Sequence, residues 1–121
     1  MSIYQEIILD HYQFPHNKGL LESPDAQCSL SNPTCGDSMK ITINLNDTHI
    51  TECKFDGQAC AISTASASLL TDFVLHKSMD EVMKLTAQDI LTLLNIELSP
   101  IRLKCALLPL EGIQTALRSV K

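Results

Sequence analysis

The sequence contains no tryptophan, only 4% aromatic residues, and fewer basic than acidic side chains. Nucleic-acid interfaces rely on clustered cations and on aromatic stacking, and a net charge of −5, from 9 Lys+Arg against 14 Asp+Glu, provides neither. We therefore expect no nucleic-acid partner. No apolar run reaches the roughly 18–20 residues that a membrane-spanning helix needs, so we expect no membrane partner either.

The chain begins MSIYQEIILDHYQ, which lacks the basic start of a signal peptide. We therefore expect a cytoplasmic protein with reduced thiols, and the odd number of cysteines, five, does not suit a framework of disulfides. No repeat or low-complexity tract is present among the 121 residues, of which 45% are hydrophobic and 19% charged. These values predict a single domain, 1–121, that folds without metal or disulfide.

Hydrophobic periodicity predicts an α+β fold. A helical pattern covers 2–13, and period-two alternation then predicts three short strands around 26–30, 39–45 and 51–55. Their close spacing indicates an antiparallel sheet, one face of which the helical second half is expected to cover. Further helices are expected over 61–76, after the capping box of Ser78 and Glu81, after the cap Thr86, after Ser99-Pro100 and, beyond a break or kink at Pro109, through Leu117.

The five cysteines divide into two groups by position. Cys28 and Cys53 lie on the apolar faces of predicted strands, and we interpret them as buried residues that pack as small hydrophobes. Cys35, Cys60 and Cys105 lie near the predicted ends of elements. Side chains from separate segments can converge at such ends, so these three thiols are candidates for metal or sulfur chemistry.

A candidate ligand set includes one carboxylate. Asp37 follows Cys35 by two residues, with a glycine between them, so a loop could turn both side chains to one point. Cys60 opens a predicted helix, whose N-terminus favours a thiolate, and Cys105 has the cation of Lys104 beside it. Three thiolates and one carboxylate could hold zinc or an iron–sulfur cluster. Spacing alone leaves a second interpretation open, in which Asp37 only makes a local hydrogen bond in its turn.

Three segments around these cysteines resemble the cysteine motifs of the IscU/SufU/NifU N-terminal family, and the opening of the chain from Tyr4 to Gly19 resembles the family's first helix and loop. The resemblance covers essentially the whole chain. It implies the family's fold, an α/β sandwich in which a small three-stranded antiparallel sheet packs against helices. The three segments are NPTCGD (32–37), DGQACAIS (56–63) and RLKCALL (102–108).

The resemblance implies an iron–sulfur cluster assembly protein, a scaffold and sulfur acceptor rather than a stand-alone enzyme. Such a protein accepts sulfur from a pyridoxal-phosphate-dependent cysteine desulfurase and carries a transient [2Fe-2S] cluster to recipient apo-proteins. The alternative, from the SufU-like branch, is a zinc-dependent sulfurtransferase that relays persulfide without holding a cluster. Carried over, the ligands are Cys35, Asp37, Cys60 and Cys105, and the persulfide acceptor is Cys35 in the relay branch or Cys105 in the scaffold branch.

The chain departs from both branches. It lacks the insertion that SufU-like proteins carry before the third cysteine, yet Lys104 precedes that cysteine as in SufU-like proteins, where IscU-like proteins have histidine. His16 stands where the family often has arginine. The segment LSPIR (98–102) only approximates the IscU motif that a dedicated chaperone recognises, which argues against that chaperone as a partner.

Two other classes fit the cysteine pattern less well. A zinc hydrolase such as a deaminase needs an open metal position and H-x-E and P-C-x-x-C elements, which the sequence lacks. A structural zinc or interaction module remains as a remote alternative. A chain of this length does not need zinc to fold, and structural zinc usually binds paired cysteines.

Overall fold

The structure, a computed structural model, describes residues 3–33 and 36–120. It confirms the predicted α+β fold, with three strands paired antiparallel in the order β1-β2-β3. The predicted N-cap of the first helix, Ser2, lies outside the described residues. In chain order the elements are α1 (Ile3–Gln13), β1 (Ala26–Asn32), β2 (Asp37–Asn46), β3 (His49–Gln58), α2 (Ala61–Phe73), α3 (Met79–Met83), α4 (Ala87–Leu94) and α5 (Pro100–Arg118).

The core lies between one face of the sheet and the helices of the second half. Cys28 of β1 pairs with Ile41 of β2, which pairs in turn with Phe55 of β3, so the apolar residues of all three strands share that face. α5 packs across β1 and β2, and α2 packs against α5, α1 and α4. Ile41 and Phe55 are 0% and 1% exposed. The same register leaves Asp37, the first residue of β2, opposite Asn32 at the end of β1.

α5 approaches the sheet most closely at Gly112. A Cβ atom on this residue would lie 2.8 Å from both Ile41 Cγ1 and Leu30 Cδ2, closer than carbon atoms pack. Glycine therefore allows the helix to lie against the strands at this point. The close contact sets the distance between the sheet and the first half of α5, which carries Cys105.

Of the break or kink expected at Pro109, the break is wrong, because α5 continues from Pro100 to Arg118. Proline has no backbone N–H, so it cannot donate to the carbonyl four residues earlier, which belongs to Cys105. Ser63 of α2 donates to that carbonyl instead, with 2.8 Å between its Oγ and the Cys105 oxygen. A neighbouring helix thus supplies the hydrogen bond that proline removes.

The sequence places Ile62, Ala65, Leu69 and Phe73 on one apolar stripe of the helix, but α2 is buried on more sides than this stripe. Phe73, which the stripe predicts to lie in the core, is 36% exposed, and the helix ends at this residue rather than at residue 76. Small polar side chains take up the buried surface, and every buried side-chain nitrogen or oxygen in the described part of the chain has a hydrogen-bond partner. The buried polar residues of α2 are Ser63, Thr64, Ser66, Ser68 and Thr71.

A polar network attaches α1 and the loop that follows it to α2. The His11 ring nitrogen Nδ1 lies 2.6 Å from Ser68 Oγ, and the His16 backbone N–H donates to the same oxygen over 2.7 Å. The His16 ring pairs with Asp72, which also accepts from the Asn17 amide over 2.8 Å. His16 and Asp72 are exposed, whereas His11 and Asn17 are half-buried and Ser68 is buried.

Within 3–33 and 36–120, the structure contains no helix with both the length and the apolar character needed to cross a membrane.

Candidate metal centre

Asp37 begins β2 and is only 3% exposed. Its Oδ1 accepts a hydrogen bond from the Cys60 backbone N–H over 2.9 Å, and its Oδ2 accepts from Ser63 Oγ over 2.6 Å. Both partners lie at the start of α2, more than 20 residues after Asp37 in the chain. The carboxylate therefore joins β2 to the N-terminus of α2, and its role extends beyond its own turn.

Cys60 is the N-cap of α2, as its position in the sequence predicts. Its backbone is extended, with φ −69° and ψ 172°, and its Sγ accepts a hydrogen bond from the Ser63 backbone N–H over 3.5 Å. The helix dipole places partial positive charge beside this sulfur. The thiol is half-buried, so one side of it faces the surface.

Cys105 lies in the second turn of α5 and is 2% exposed. Its predicted position near an element end depended on a break at Pro109, so that part of the prediction is wrong. The thiol reaches the other two residues because α5 packs directly against α2. The bond from Ser63 to the Cys105 carbonyl lies at this contact.

The structure brings three of the four predicted site residues together. One ligand atom each from Asp37, Cys60 and Cys105 lies within 4.8 Å of the other two. Atoms bound to one tetrahedral zinc are about 3.5–3.8 Å apart, given zinc–sulfur bonds of about 2.3 Å. Small movements therefore suffice for this group to bind a metal ion. Cys35, the fourth predicted ligand, lies outside the described residues and stays a prediction.

The remaining cysteines behave as packing residues. Burial raises the pKa of the Cys53 thiol to about 12, and this side chain is 1% exposed in the core. Burial also raises the pKa of Cys28, which is half-buried and packs against the same core. Both thiols keep their protons at neutral pH, whereas metal binding requires thiolates. The interpretation as a buried packing residue is confirmed for Cys53, whereas Cys28 packs against the core but is only half-buried.

Sequence reasoning missed Ser63, which is 0% exposed and contacts all three residues of the group. One signal was available, because Pro109 lies four residues after Cys105. That spacing indicates a carbonyl that needs a donor from outside its own helix. Which residue supplies the donor depends on how α2 and α5 pack.

A surface cavity of about 210 Å³ lies between the end of β1 and α5. Two of its lining residues adjoin site residues in the chain, since Lys104 precedes Cys105 and Pro33 lies two residues before Cys35. The cavity is lined by Ser31, Asn32, Pro33, Lys104, Leu108 and Glu111.

A small α+β protein in which two thiols and a carboxylate from three separate elements converge belongs to the class of α+β domains that carry a candidate metal site. Within that class, the chain belongs to the family described as NifU-like N terminal domain, whose model matches residues 3–121. The family resemblance read from the three cysteine motifs is thereby confirmed.

Named relatives fall in both branches. The zinc-dependent sulfurtransferase SufU of Bacillus subtilis (strain 168) is 30% identical over 130 residues, which cover 93% of this chain and 88% of that protein. The iron–sulfur cluster assembly scaffold protein IscU of Escherichia coli (strain K12) is 34% identical over 122 residues, covering 98% and 94%. A crystal structure from Fervidobacterium islandicum AW-1, described as an iron–sulfur cluster assembly scaffold protein for the SUF system, superposes with a TM-score of 0.83 at 26% identity, covering 95% and 96%.

Proposed function

We propose that this protein is a single-domain, cytoplasmic iron–sulfur cluster assembly protein. It accepts sulfur from a pyridoxal-phosphate-dependent cysteine desulfurase, holds a transient [2Fe-2S] cluster as cargo and passes it to recipient apo-proteins. The observation that carries this proposal is the convergence of Asp37, Cys60 and Cys105 from three elements. The relatives named as scaffolds support it.

The chemistry of the donor set suits such a cargo. Thiolates are soft ligands that favour zinc and iron–sulfur clusters over magnesium or calcium. The single carboxylate, Asp37, is the hardest ligand of the set and therefore the one that exchanges most easily. In this proposal Cys35 completes the set, and the cluster leaves through replacement of the Asp37 oxygen.

The burial of Cys105 argues against it as the first sulfur acceptor, so we assign that role to the other candidate, Cys35. Cys105 is 2% exposed, so a desulfurase thiol could reach it only after α5 or its neighbours move. In the transfer, the Cys35 thiolate attacks the terminal sulfur of the desulfurase persulfide. A new S–S bond forms on Cys35, the donor's S–S bond breaks, and the desulfurase cysteine leaves as a thiolate. Mass spectrometry after one turnover should locate the added sulfur on Cys35, and sulfur found on Cys105 would reverse this assignment.

Anaerobic reconstitution tests the main proposal. The protein is incubated with ferrous iron, cysteine, a cysteine desulfurase and a thiol reductant that supplies the electrons to reduce persulfide sulfur to sulfide, and its visible absorption, iron and acid-labile sulfide are measured. We expect a coloured cluster in the wild type and in Cys28→Ser, and none in Cys60→Ser or Cys105→Ser. A cluster that forms equally well in the last two variants would contradict the ligand assignment.

A second function, zinc-dependent sulfur relay, is favoured by two observations. Lys104 precedes Cys105, and the relative named as a zinc-dependent sulfurtransferase is 30% identical over most of both chains. In this function one Zn²⁺ protects the thiolates until the desulfurase displaces a ligand. Zinc that persists through anaerobic purification, together with strong stimulation of desulfurase turnover and no acid-labile sulfide, would favour the relay over the scaffold.

A chelator separates both functions from a purely structural zinc site. The apolar core is built from all three strands and the packed helices, and Cys105 is the one residue of the described metal centre that belongs to it, with Cys60 packed against its edge. We therefore expect the chelated protein to keep its circular dichroism spectrum and to unfold cooperatively. Loss of the fold on chelation would support a structural zinc module instead.

A further inference from the structure

Ser63 lies between the groups that the metal centre needs. Its Oγ is 2.6 Å from Asp37 Oδ2 and 2.8 Å from the Cys105 carbonyl oxygen, and Cys60 Sγ lies 3.6 Å away. A serine hydroxyl has a single hydrogen to donate. The carboxylate and the carbonyl therefore share that hydrogen, and the side chain connects β2, the start of α2 and the second turn of α5.

Pro109 explains why the Cys105 carbonyl bonds to α2. In an uninterrupted helix this carbonyl would accept from the N–H of residue 109, which proline lacks. The carbonyl next to it, of Ala106, also accepts a hydrogen bond from α2, over 2.6 Å from Ser66 Oγ. Two serines of α2 thus hold adjacent carbonyls of α5, but Ser63 also bonds to the Asp37 carboxylate.

We propose that Ser63 is a positioning residue of the metal centre, holding the Asp37 carboxylate and the α5 turn of Cys105 against the N-terminus of α2, and that Pro109 makes the Cys105 carbonyl available for this bond. The inference rests on the metal centre of the proposed function. In this inference, Ser63 binds no metal itself but fixes the positions of the metal ligands through its hydrogen bonds. Outer partners of this kind typically raise metal affinity 10- to 100-fold.

Zinc affinity, measured by competition with a chromophoric chelator in reducing buffer, tests the carboxylate half of the proposal. Ser63→Ala should weaken Zn²⁺ binding by about 10- to 100-fold. Ser66→Ala is the matched control, because Ser66 is 2% exposed on the same helix and donates to the neighbouring carbonyl. Both variants should lower the urea midpoint of the metal-free protein, but Ser66→Ala should leave zinc affinity within about threefold of wild type. Equal losses of affinity in the two variants would overturn the proposal.

A double variant tests the part played by Pro109. Pro109→Ala restores an N–H that can donate to the Cys105 carbonyl. In that background Ser63→Ala should lower the urea midpoint clearly less than it does alone, while the loss of zinc affinity should persist. If Ser63→Ala lowers the urea midpoint equally with proline and with alanine at residue 109, then the N–H of residue 109 does not replace the Ser63 hydroxyl as donor to the Cys105 carbonyl. That result would contradict the role proposed for Pro109. Should Ser63→Ala alone fold poorly, the double variant provides the affinity measurement.

Zinc binding and cluster reconstitution together distinguish a failure of this inference from a failure of the proposed function. Wild-type protein that binds zinc while Ser63→Ala binds it equally well would overturn this inference and leave the proposed function standing. Zinc binding that depends on Ser63, in a protein that forms no cluster and relays no sulfur, would overturn the function and support the inference. Wild-type protein that binds neither zinc nor a cluster would overturn both.

Discussion

At the scale of single residues, Asp37 has two roles that its position at the start of β2 allows together. Its oxygens accept from the Cys60 N–H and from Ser63 Oγ, which satisfies donors at the N-terminus of α2. A carboxylate has about four lone-pair sites, so these two bonds do not use all of its acceptor capacity. The residue that stabilises the start of the helix is thus also the candidate oxygen ligand.

Replacing Asp37 with alanine should slow loss of a bound cluster, because the exchangeable oxygen ligand on the exit route is removed. The check is the rate of cluster transfer from reconstituted protein to an apo-acceptor, followed by absorbance. The variant should also lose about 1–3 kcal/mol of stability, since buried donors lose their acceptor. Glu52→Ala, at an exposed position of β3, is the control and should change neither quantity. Faster loss of the cluster from Asp37→Ala would contradict the assigned role.

Cys53→Ser should lower stability without affecting metal. The residue is 1% exposed, and a hydroxyl buried in place of its thiol should cost about 1–3 kcal/mol. Urea unfolding of the metal-free protein measures the loss, and zinc content after purification should equal that of the wild type. Cys60→Ser provides the contrast, with most of its stability kept and its zinc lost. A loss of zinc from Cys53→Ser, with the fold intact, would mean that the core thiol reaches the site.

At the scale of elements, the caps of the second half follow the sequence closely. Ser78 and Glu81 form the predicted capping box of α3, and Thr86 and Ser99 occupy the predicted N-caps of α4 and α5. These signals succeed because a cap is satisfied within a few residues of the chain. The prediction at Pro109 failed because the deciding hydrogen bond comes from Ser63, on another helix.

Gly112→Ala should destabilise the contact between α5 and the sheet. The added Cβ would lie 2.8 Å from Ile41 Cγ1 and Leu30 Cδ2, so the helix must move away or the side chains must shift. Overpacking of this kind costs about 1–3 kcal/mol, which the urea midpoint reports. Glu111→Ala, on the exposed side of the same helix, should change the midpoint little. Full stability of Gly112→Ala would show that the close approach is not needed.

At the scale of the whole molecule, acidification should weaken the junction of α1 with α2. Burial lowers the pKa of His11, and the nearby His16 lowers it further, while Asp10 and Asp72 act in the opposite direction. The unfolded chain therefore binds this proton more readily than the folded protein does. Stability linked to His11 is complete above about pH 6.5 and declines as the pH falls from there toward the folded-state pKa.

The carboxyl group of Asp72 contributes to the pH dependence of stability at lower pH than His11 does. Burial alone would raise its pKa, but hydrogen bonds from His16 and Asn17 and the charge of the histidines lower it overall. A lowered carboxyl pKa stabilises the folded protein above the unfolded value of about 3.9, and this contribution is lost as the pH falls below that value. Metal-free His11→Gln should therefore lose less stability between pH 7.5 and 5.5 than the wild type, and behave like it below pH 4.

Urea midpoints across this range provide the measurement. His49→Gln, at the exposed start of β3, is the control and should keep the wild-type slope between pH 7.5 and 5.5. A slope unchanged in His11→Gln would contradict the linkage to this residue.

The local order of helices and strands, the division of cysteines into packing and candidate ligand residues, and the family were all readable from the sequence. Periodicity, helix caps and short sequence motifs each involve residues close together in the chain, so they can be recognised without knowing how the elements pack. The motifs around Cys60 and Cys105 identify the candidate site residues, although neither motif predicts the distance between the two thiols.

Only the tertiary structure decided that Asp37, Cys60 and Cys105 meet within 4.8 Å, that two of them are buried, and that Ser63 links them. These facts depend on how α5 lies across the sheet and against α2, and that arrangement results from the packing of the whole core. Because residues 63 and 105 are 42 positions apart, no short stretch of sequence could show that one donates a hydrogen bond to the other.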